Sequence, residues 1–298
     1  MRSTGDSRFH APGLAVLASL VCVTLGASLA KGLFPLVGPI GTTTLRLCLA
    51  ALILLIVMRS WRIRPGAAAW RAALAYGLVM AGMNMMFYLA IERIPLGIAI
   101  ALEFTGPLTV AVLHSRHRRD LLWVACAILG LVLLIPRPVP GQAVALGGAA
   151  FALGAGVLWG AYILVGQRAG AALGSQGAAF GLMIAALLVL PAGLLLEPRL
   201  HPAAWTALPL LPLLSTALAV ALLSSALPYT LEMYALRHIP ARSFGILMSG
   251  EPAIGALMGL MMLGERLSIA QWLGIAAVVT ASLGTTLADP RADPQPQT

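Results

Sequence analysis

IERIPLGIAIALEFTGPL (91–108) returns as LRHIPARSFGILMSGEPA (236–253), 145 residues further along the chain. Ile94-Pro95 meets Ile239-Pro240, Leu102 meets Leu247 and Pro107 meets Pro252. In both copies a carboxylate stands just ahead of a proline within an apolar run: Glu103 four residues before Pro107, Glu251 immediately before Pro252. The position aligned with Glu251 is Gly106, one helical turn from Glu103. The two acids therefore belong at similar depth in corresponding segments without being strictly equivalent. Why a chain would place them there depends on the medium around it.

Composition identifies that medium. Of 298 residues, 60% are hydrophobic and 10% charged, and the mean hydropathy is +0.93. Soluble domains carry about 25% charged residues, and a water-soluble fold has nowhere to bury so much apolar surface. A bilayer accepts it, in stretches of about 20 apolar residues per spanning helix. The chain reads as an all-α polytopic membrane protein whose first partner is lipid. The net charge of +9 does not indicate nucleic acid, because the basic residues lie between apolar runs and form no aromatic-interleaved surface. Cys22, Cys48 and Cys126 fall inside apolar segments without CxxC or metal-ligand spacing. His114 and His117 flank a basic loop with no further ligands beside them, so no metal is expected.

Ten candidate spans follow from charge, Pro and Gly interruptions: 14–34, 41–58, 72–91, 96–113, 121–136, 144–166, 177–196, 207–227, 242–262 and 270–288. The runs are continuous rather than alternating, which argues against strands. Arg2 and Arg8 before an apolar stretch ending in Ser28-Leu29-Ala30 imitate a secretory signal, but removing span one would leave span six without its repeat partner. With the N-terminus inside, thirteen of the nineteen Lys and Arg residues fall on the cytoplasmic side. Lys31, Arg93, Arg137, Arg199 and Arg266 fall opposite, and Arg46 lies within span two. That asymmetry places both termini in the cytoplasm.

The halves align elsewhere as well, with Gly26-Ala27 against Gly160-Ala161 and Trp123 against Trp272. Each half holds five spans, and an odd number sends the second half through the bilayer in the opposite sense. Such inverted repeats build alternating-access transporters with a site near the midplane. The expected organisation is a cytoplasmic N-terminus (1–13), a first five-helix repeat (14–136), a linker (137–143), a second repeat (144–288) and a disordered cytoplasmic tail (289–298).

A carboxylate at the bilayer centre costs about 2.5–3.5 kcal/mol on insertion scales, so it turns toward protein or a wet cavity. Glu103 should face inward. Pro107 and Pro252 remove the N–H groups that would bond the carbonyls of Glu103 and Met248, and free backbone at that depth belongs against protein or a cavity. Arg46 and Lys31 each either grip a substrate carboxylate, pair with a glutamate, or snorkel to an interface. Glu232 is either a cavity acid or an interfacial one. Asn84 either lines the cavity or bonds a neighbouring helix. Gly156-xxx-Gly160 and Gly255-xxx-Gly259 permit close helix approach. Met83, Met85 and Met86 read as packing.

The segments GASLAKGLFPLVG (26–38), TTTLRL (42–47), MNMMFYLAIERIPLGIAIALEFTGPLTVAVL (83–113), ALGAGVLWGAYILVGQRAG (152–170), SSALPYTLEMYALRHIPARSFGILMSGEPAIGALMGLMMLGERL (224–267) and TASLGTTL (280–287) resemble the bacterial threonine and homoserine exporters of the EamA-type drug/metabolite transporter superfamily. The resemblance runs from about 14 to 288. It implies ten helices in two inverted five-helix repeats, no cofactor, and proton-driven efflux of small amino acids across the inner membrane. Carried over residue by residue, it points to Glu103, Pro107, Glu251 and Pro252, with Lys31 and Arg46 at basic positions.

The mechanism expected from these residues is a secondary exporter with a central cavity between the halves. Glu103 and Glu251 face a substrate ammonium, Arg46 its carboxylate, and one acid, Glu103 first, exchanges a proton as the cavity switches sides. The alternative is a broader drug or metabolite exporter. An intramembrane enzyme lacks support, since HExxH and a Ser-His or Asp-Asp constellation are missing from the spans. A sensor would have no soluble output domain.

Overall fold

Leu- and Ala-rich apolar runs fold as helices in a bilayer because each helix satisfies its own backbone hydrogen bonds. The computed structural model describes residues 7–113, 120–134, 143–200, 209–239, 244 and 247–287, and the regular structure among them is entirely helical. The first half comprises α1 (Ser7–Lys31), α2 (Phe34–Val57), α3 (Ala67–Ile91), α4 (Leu96–Glu103), α5 (Thr105–Leu113) and α6 (Asp120–Leu134). The second comprises α7 (Ala143–Leu173), α8 (Gln176–Leu196), α9 (Leu210–Ala221), α10 (Leu227–His238), α11 (Glu251–Leu263) and α12 (Ile269–Leu287).

Among the described residues, six helical stretches are long and apolar enough to cross a membrane: Ala11–Lys31, Phe34–Val57, Ala67–Ile91, Leu146–Leu173, Gln176–Leu196 and Leu210–His238. Leu96–Val110, Ala125–Leu134, Glu251–Leu263 and Ile269–Ala281 are shorter apolar helices. The chain is thus a multi-pass, all-helical protein. Positions 137–142 of the expected 137–143 linker, His114, His117, Arg116, Arg118, Arg119 and the tail at 289–298 lie outside the described residues, while Ala143 already opens α7.

Two helix boundaries differ from the sequence expectation in ways that move functional residues. Span two begins at Phe34 rather than 41. Pro35 sits in the first turn, where a missing N–H costs no hydrogen bond, and Gly38 absorbs a kink at φ 65° that a side chain would resist. Arg46 is therefore central in its helix instead of close to an end. Span eight continues past 227 to His238. Pro228 does not end it; α9 and α10 join through a π-helical turn at Leu222–Ala226, a widened turn that accommodates a missing backbone donor. Glu232 thereby lies inside a spanning helix.

The sequence spans 96–113 and 242–262 are not continuous helices in the structure, and each is interrupted close to its proline. α4 ends at Glu103 and α5 resumes at Thr105, two residues before Pro107. Ser249 and Gly250 form a turn, and α11 opens with Glu251 and Pro252. Glu103 thus closes one helical segment and Glu251 opens another.

α3 packs along α7 and α8, α2 along α8, α6 along α12, and α1 along α10 and α11, while α4 lies between α7 and α11. Small residues let these backbones meet. At Gly106 an added Cβ would overlap the Gly156 carbonyl, and at Gly26 it would lie 2.6 Å from the Ser224 nitrogen and Cβ. The helices meeting around α1, α2, α3, α4, α7, α10 and α11 enclose the site.

Candidate functional site

Pro228 and its effect on Ser224 provide the starting point. Because Pro228 has no N–H, the carbonyl four residues earlier, that of Ser224, loses its ordinary helical donor. Arg46 fills the gap: its Nη1 donates to Ser224 O at 2.8 Å, to Ser225 Oγ at 2.8 Å and to Ser224 Oγ at 3.3 Å. Its Nη2 donates to Asn84 Oδ1, and the guanidinium lies 4.5 Å from the ring centroid of Tyr88. Asn84 is held in turn, donating from Nδ2 to Met80 O at 2.7 Å and accepting from the Tyr229 hydroxyl at 2.9 Å.

Arg46 is 2% exposed, which excludes the snorkelling alternative. Among the described residues no carboxylate is ion-paired with it. A buried cation held by neutral oxygens alone is electrostatically incomplete, since such charges are normally paired. Removing the charge would leave the surrounding acceptors unfilled, so the network holds the guanidinium in position without neutralising it.

Arg46, Asn84, Glu103, Glu232 and Glu251 line one cavity, together with Tyr88, Trp159, Tyr162 and Tyr229. These five polar side chains come from five different helices, and for Asn84 and Glu232, whose alternatives the sequence left open, the structure gives a place on the cavity wall. The cavity offers about 60 Å³ to the centres of water-sized molecules. At about 10–15 Å³ per water by that measure, it has room for on the order of four waters or one small solute.

The three acids differ in their surroundings. Glu232 accepts from Ser19 Oγ at 2.7 Å and from the Tyr162 hydroxyl at 3.0 Å, so both of its oxygens are engaged. Glu251 has a buried Oε2 without a hydrogen-bond partner. Glu103, 8% exposed, sits where α4 breaks, with its own carbonyl pressed against Gly156. Glu232 is thus the acid committed to its neighbours, while Glu251 keeps one oxygen without a hydrogen-bond partner.

Comparison with known proteins gives this arrangement a family. Residues 146–287 match the model of the EamA-like transporter family. The chain is 49% identical over 278 residues to proteins named threonine/homoserine exporter RhtA in Escherichia coli (strain K12) and Salmonella typhimurium (strain LT2), covering 93% of this chain and 91% of each relative. The chain belongs to the EamA-like transporter family. A more distant relative, the uncharacterized transporter YwfM of Bacillus subtilis (strain 168), is 30% identical over 227 residues, covering 72% of this chain and 73% of that protein. A crystal structure of a protein 19% identical superimposes with a TM-score of 0.61 over 93% of this chain and 99% of its own length, a likeness of fold.

In this EamA-like transporter the remaining candidates lie apart from the cavity. Lys31, at the end of α1, donates to Glu265 Oε1 at 2.6 Å, and the other oxygen of Glu265 accepts from the Leu96 backbone N–H at 2.8 Å. One carboxylate therefore ties the end of α1 to the start of α4 from the loop between α11 and α12. The side chains are 20% and 14% exposed, so of the alternatives open to Lys31 the structure shows pairing with a glutamate, one the sequence reading had not singled out. Pro107 and Pro252 shape the breaks beside Glu103 and Glu251 without lining the cavity.

Sequence reasoning missed Tyr88, Tyr162, Tyr229, Ser19, Ser224 and Ser225. A signal existed for Ser224 alone: in SSALPYTLEM the proline marks its carbonyl as free four residues upstream. The aromatic hydroxyls carry no comparable mark, because nothing local distinguishes a cavity-facing tyrosine from one at the lipid boundary.

Proposed function

We propose that this protein is a secondary active exporter of small zwitterionic amino acids of the threonine and homoserine kind across the inner membrane. It works by proton antiport and alternating access. The observation that carries the reading is the meeting of an unneutralised Arg46 with Glu103 and Glu251 in one solute-sized cavity. A zwitterion presents a carboxylate to the first and an ammonium to the others. The names of the relatives point to the same solutes.

The proposed architecture is ten spanning helices in two inverted repeats, 14–136 and 144–288, with both termini cytoplasmic. Helix pairing supports this. The contact of α1 with α10 has a counterpart in that of α7 with α3, and α1 with α11 in α7 with α4, while α2–α8, α4–α11 and α6–α12 join corresponding helices directly. A two-fold relation between the halves generates this pattern. Lys31, Arg93, Arg199 and Glu265 then lie toward the outer face, where the Lys31–Glu265–Leu96 contact closes the cavity and opens in the other half of the cycle.

A single Glu103 proton exchanged against substrate couples efflux to the gradient. The test is counterflow of labelled threonine in proteoliposomes containing purified protein. Wild type exchanges threonine, and Glu103→Gln, inserted at normal level, does not export it. Threonine efflux by that variant at every pH refutes the role given to Glu103, and absence of exchange by wild type refutes the exporter.

A further inference from the structure

Buried polar atoms without partners are uncommon in native proteins and call for a physical account. Among the described residues four such side-chain atoms occur: Arg46 Nε, Tyr88 Oη, Glu251 Oε2 and Tyr76 Oη. The first three belong to cavity-lining residues and Tyr76 does not. Arg46 Nε can only donate. An ionised Glu251 can only accept. The Tyr88 hydroxyl can do both.

That inventory is complementary to one kind of solute. An α-amino acid offers a carboxylate that only accepts, an ammonium that only donates and, if its side chain carries a hydroxyl, a group that does both. The carboxylate answers Arg46 Nε and the ammonium answers Glu251 Oε2, which leaves Tyr88 for the side chain. We propose that Tyr88 is the residue that reads the substrate's side-chain hydroxyl, making the cavity selective for hydroxylated amino acids. This rests on the exporter reading above.

The position of Tyr88 is fixed well enough for such a role. It lies four residues beyond Asn84 on α3, on the same helical face. Its ring covers the Arg46 guanidinium and is flanked by Phe34 and Phe87 at centroid distances of 5.9 and 6.0 Å. The residue is 1% exposed. A phenylalanine would supply the same packing and the same cation–π face. The hydroxyl adds only an unmet hydrogen-bonding group unless a solute meets it, and a site with such a group discriminates against the analogue lacking it.

L-2-aminobutyrate is the deoxy analogue of both threonine and homoserine, so it isolates the hydroxyl. In proteoliposomes, the concentrations of threonine, homoserine and 2-aminobutyrate that halve counterflow of labelled threonine are measured for wild type and Tyr88→Phe. Wild type prefers each hydroxylated solute over 2-aminobutyrate by about tenfold or more, and in Tyr88→Phe that preference shrinks by about tenfold. A wild-type ratio near one, or a Tyr88→Phe ratio within about twofold of wild type, overturns the assignment while leaving the exporter standing. Wild-type liposomes that exchange no threonine overturn the exporter reading and this inference with it. Should Tyr88→Phe fail to fold, the two wild-type ratios decide.

Discussion

On the proposed topology, replacing Glu265 with glutamine should open the outer end of the cavity. The carboxylate receives Lys31 Nζ at 2.6 Å on one oxygen and the Leu96 N–H at 2.8 Å on the other. Glutamine keeps an acceptor for Leu96 and loses the charge facing Lys31, so the variant isolates the ion pair from the backbone contact. A fully exposed pair would contribute about 0–1 kcal/mol, and a hydrogen bond to a charged group in a drier site about 1.5–3 kcal/mol. With side chains 20% and 14% exposed, the pair belongs between these limits, at about 1–2 kcal/mol. If that energy is present only when the outer end is closed, Glu265→Gln raises the outward-open population by about 5–30-fold. The assay places one cysteine at Ala27, a buried cavity residue, in a chain whose three native cysteines are replaced. Its rate of reaction with a membrane-impermeant maleimide is followed from outside the cell. Glu265→Gln should label about 5–30-fold faster than the parent, and Glu265→Ala faster again because Leu96 N also loses its acceptor. Equal labelling rates in all three proteins would refute the reasoning that this contact holds the cavity shut.

Three further outcomes are expected. Gly106→Ala forces a Cβ into the Gly156 carbonyl, and because both sides are backbone it should cost about 1–3 kcal/mol; thermal unfolding in detergent should fall for Gly106→Ala and not for Gly250→Ala, whose Cβ would meet nothing within 4 Å. Glu232→Ala strands the Ser19 and Tyr162 hydroxyls, at about 1–3 kcal/mol for each buried group left unmet, whereas Glu232→Gln retains an acceptor and should unfold nearer to wild type in the same measurement. Arg46→Lys cannot serve Ser224, Ser225 and Asn84 together from one ammonium, so half-saturation for threonine in counterflow should rise by about tenfold or more; an unchanged value would show that Arg46 does not grip the solute.

The sequence was most informative about helices and least informative about helix faces. Apolar runs marked most of the helices, and the prolines at 107 and 252 marked carbonyls that lose their donors near Glu103 and Glu251. Pro35, Gly38 and Pro39 misled the reading of α2 because they look like a loop, yet the fold uses them as a helix start and a kink. Pro228 misled the reading of α9 and α10 in the same manner. Its missing donor is absorbed by a π turn and by Arg46, a partner 178 residues away, and such a distant donor cannot be seen from the segment itself.

Hydropathy by itself determined that the chain spans a membrane, that its charges are few, and that acids sit at depth beside prolines. Those properties belong to each segment and need no partner. Which face of each helix turns inward was decided only by the tertiary structure, because lipid and protein interior are equally apolar and leave no amphipathic stripe to read. Rotation of α2 and α3 sets Arg46 beside Asn84 and Tyr88. The approach of α1 to the α11–α12 loop gives Lys31 to Glu265, 234 residues distant, and not to the cavity.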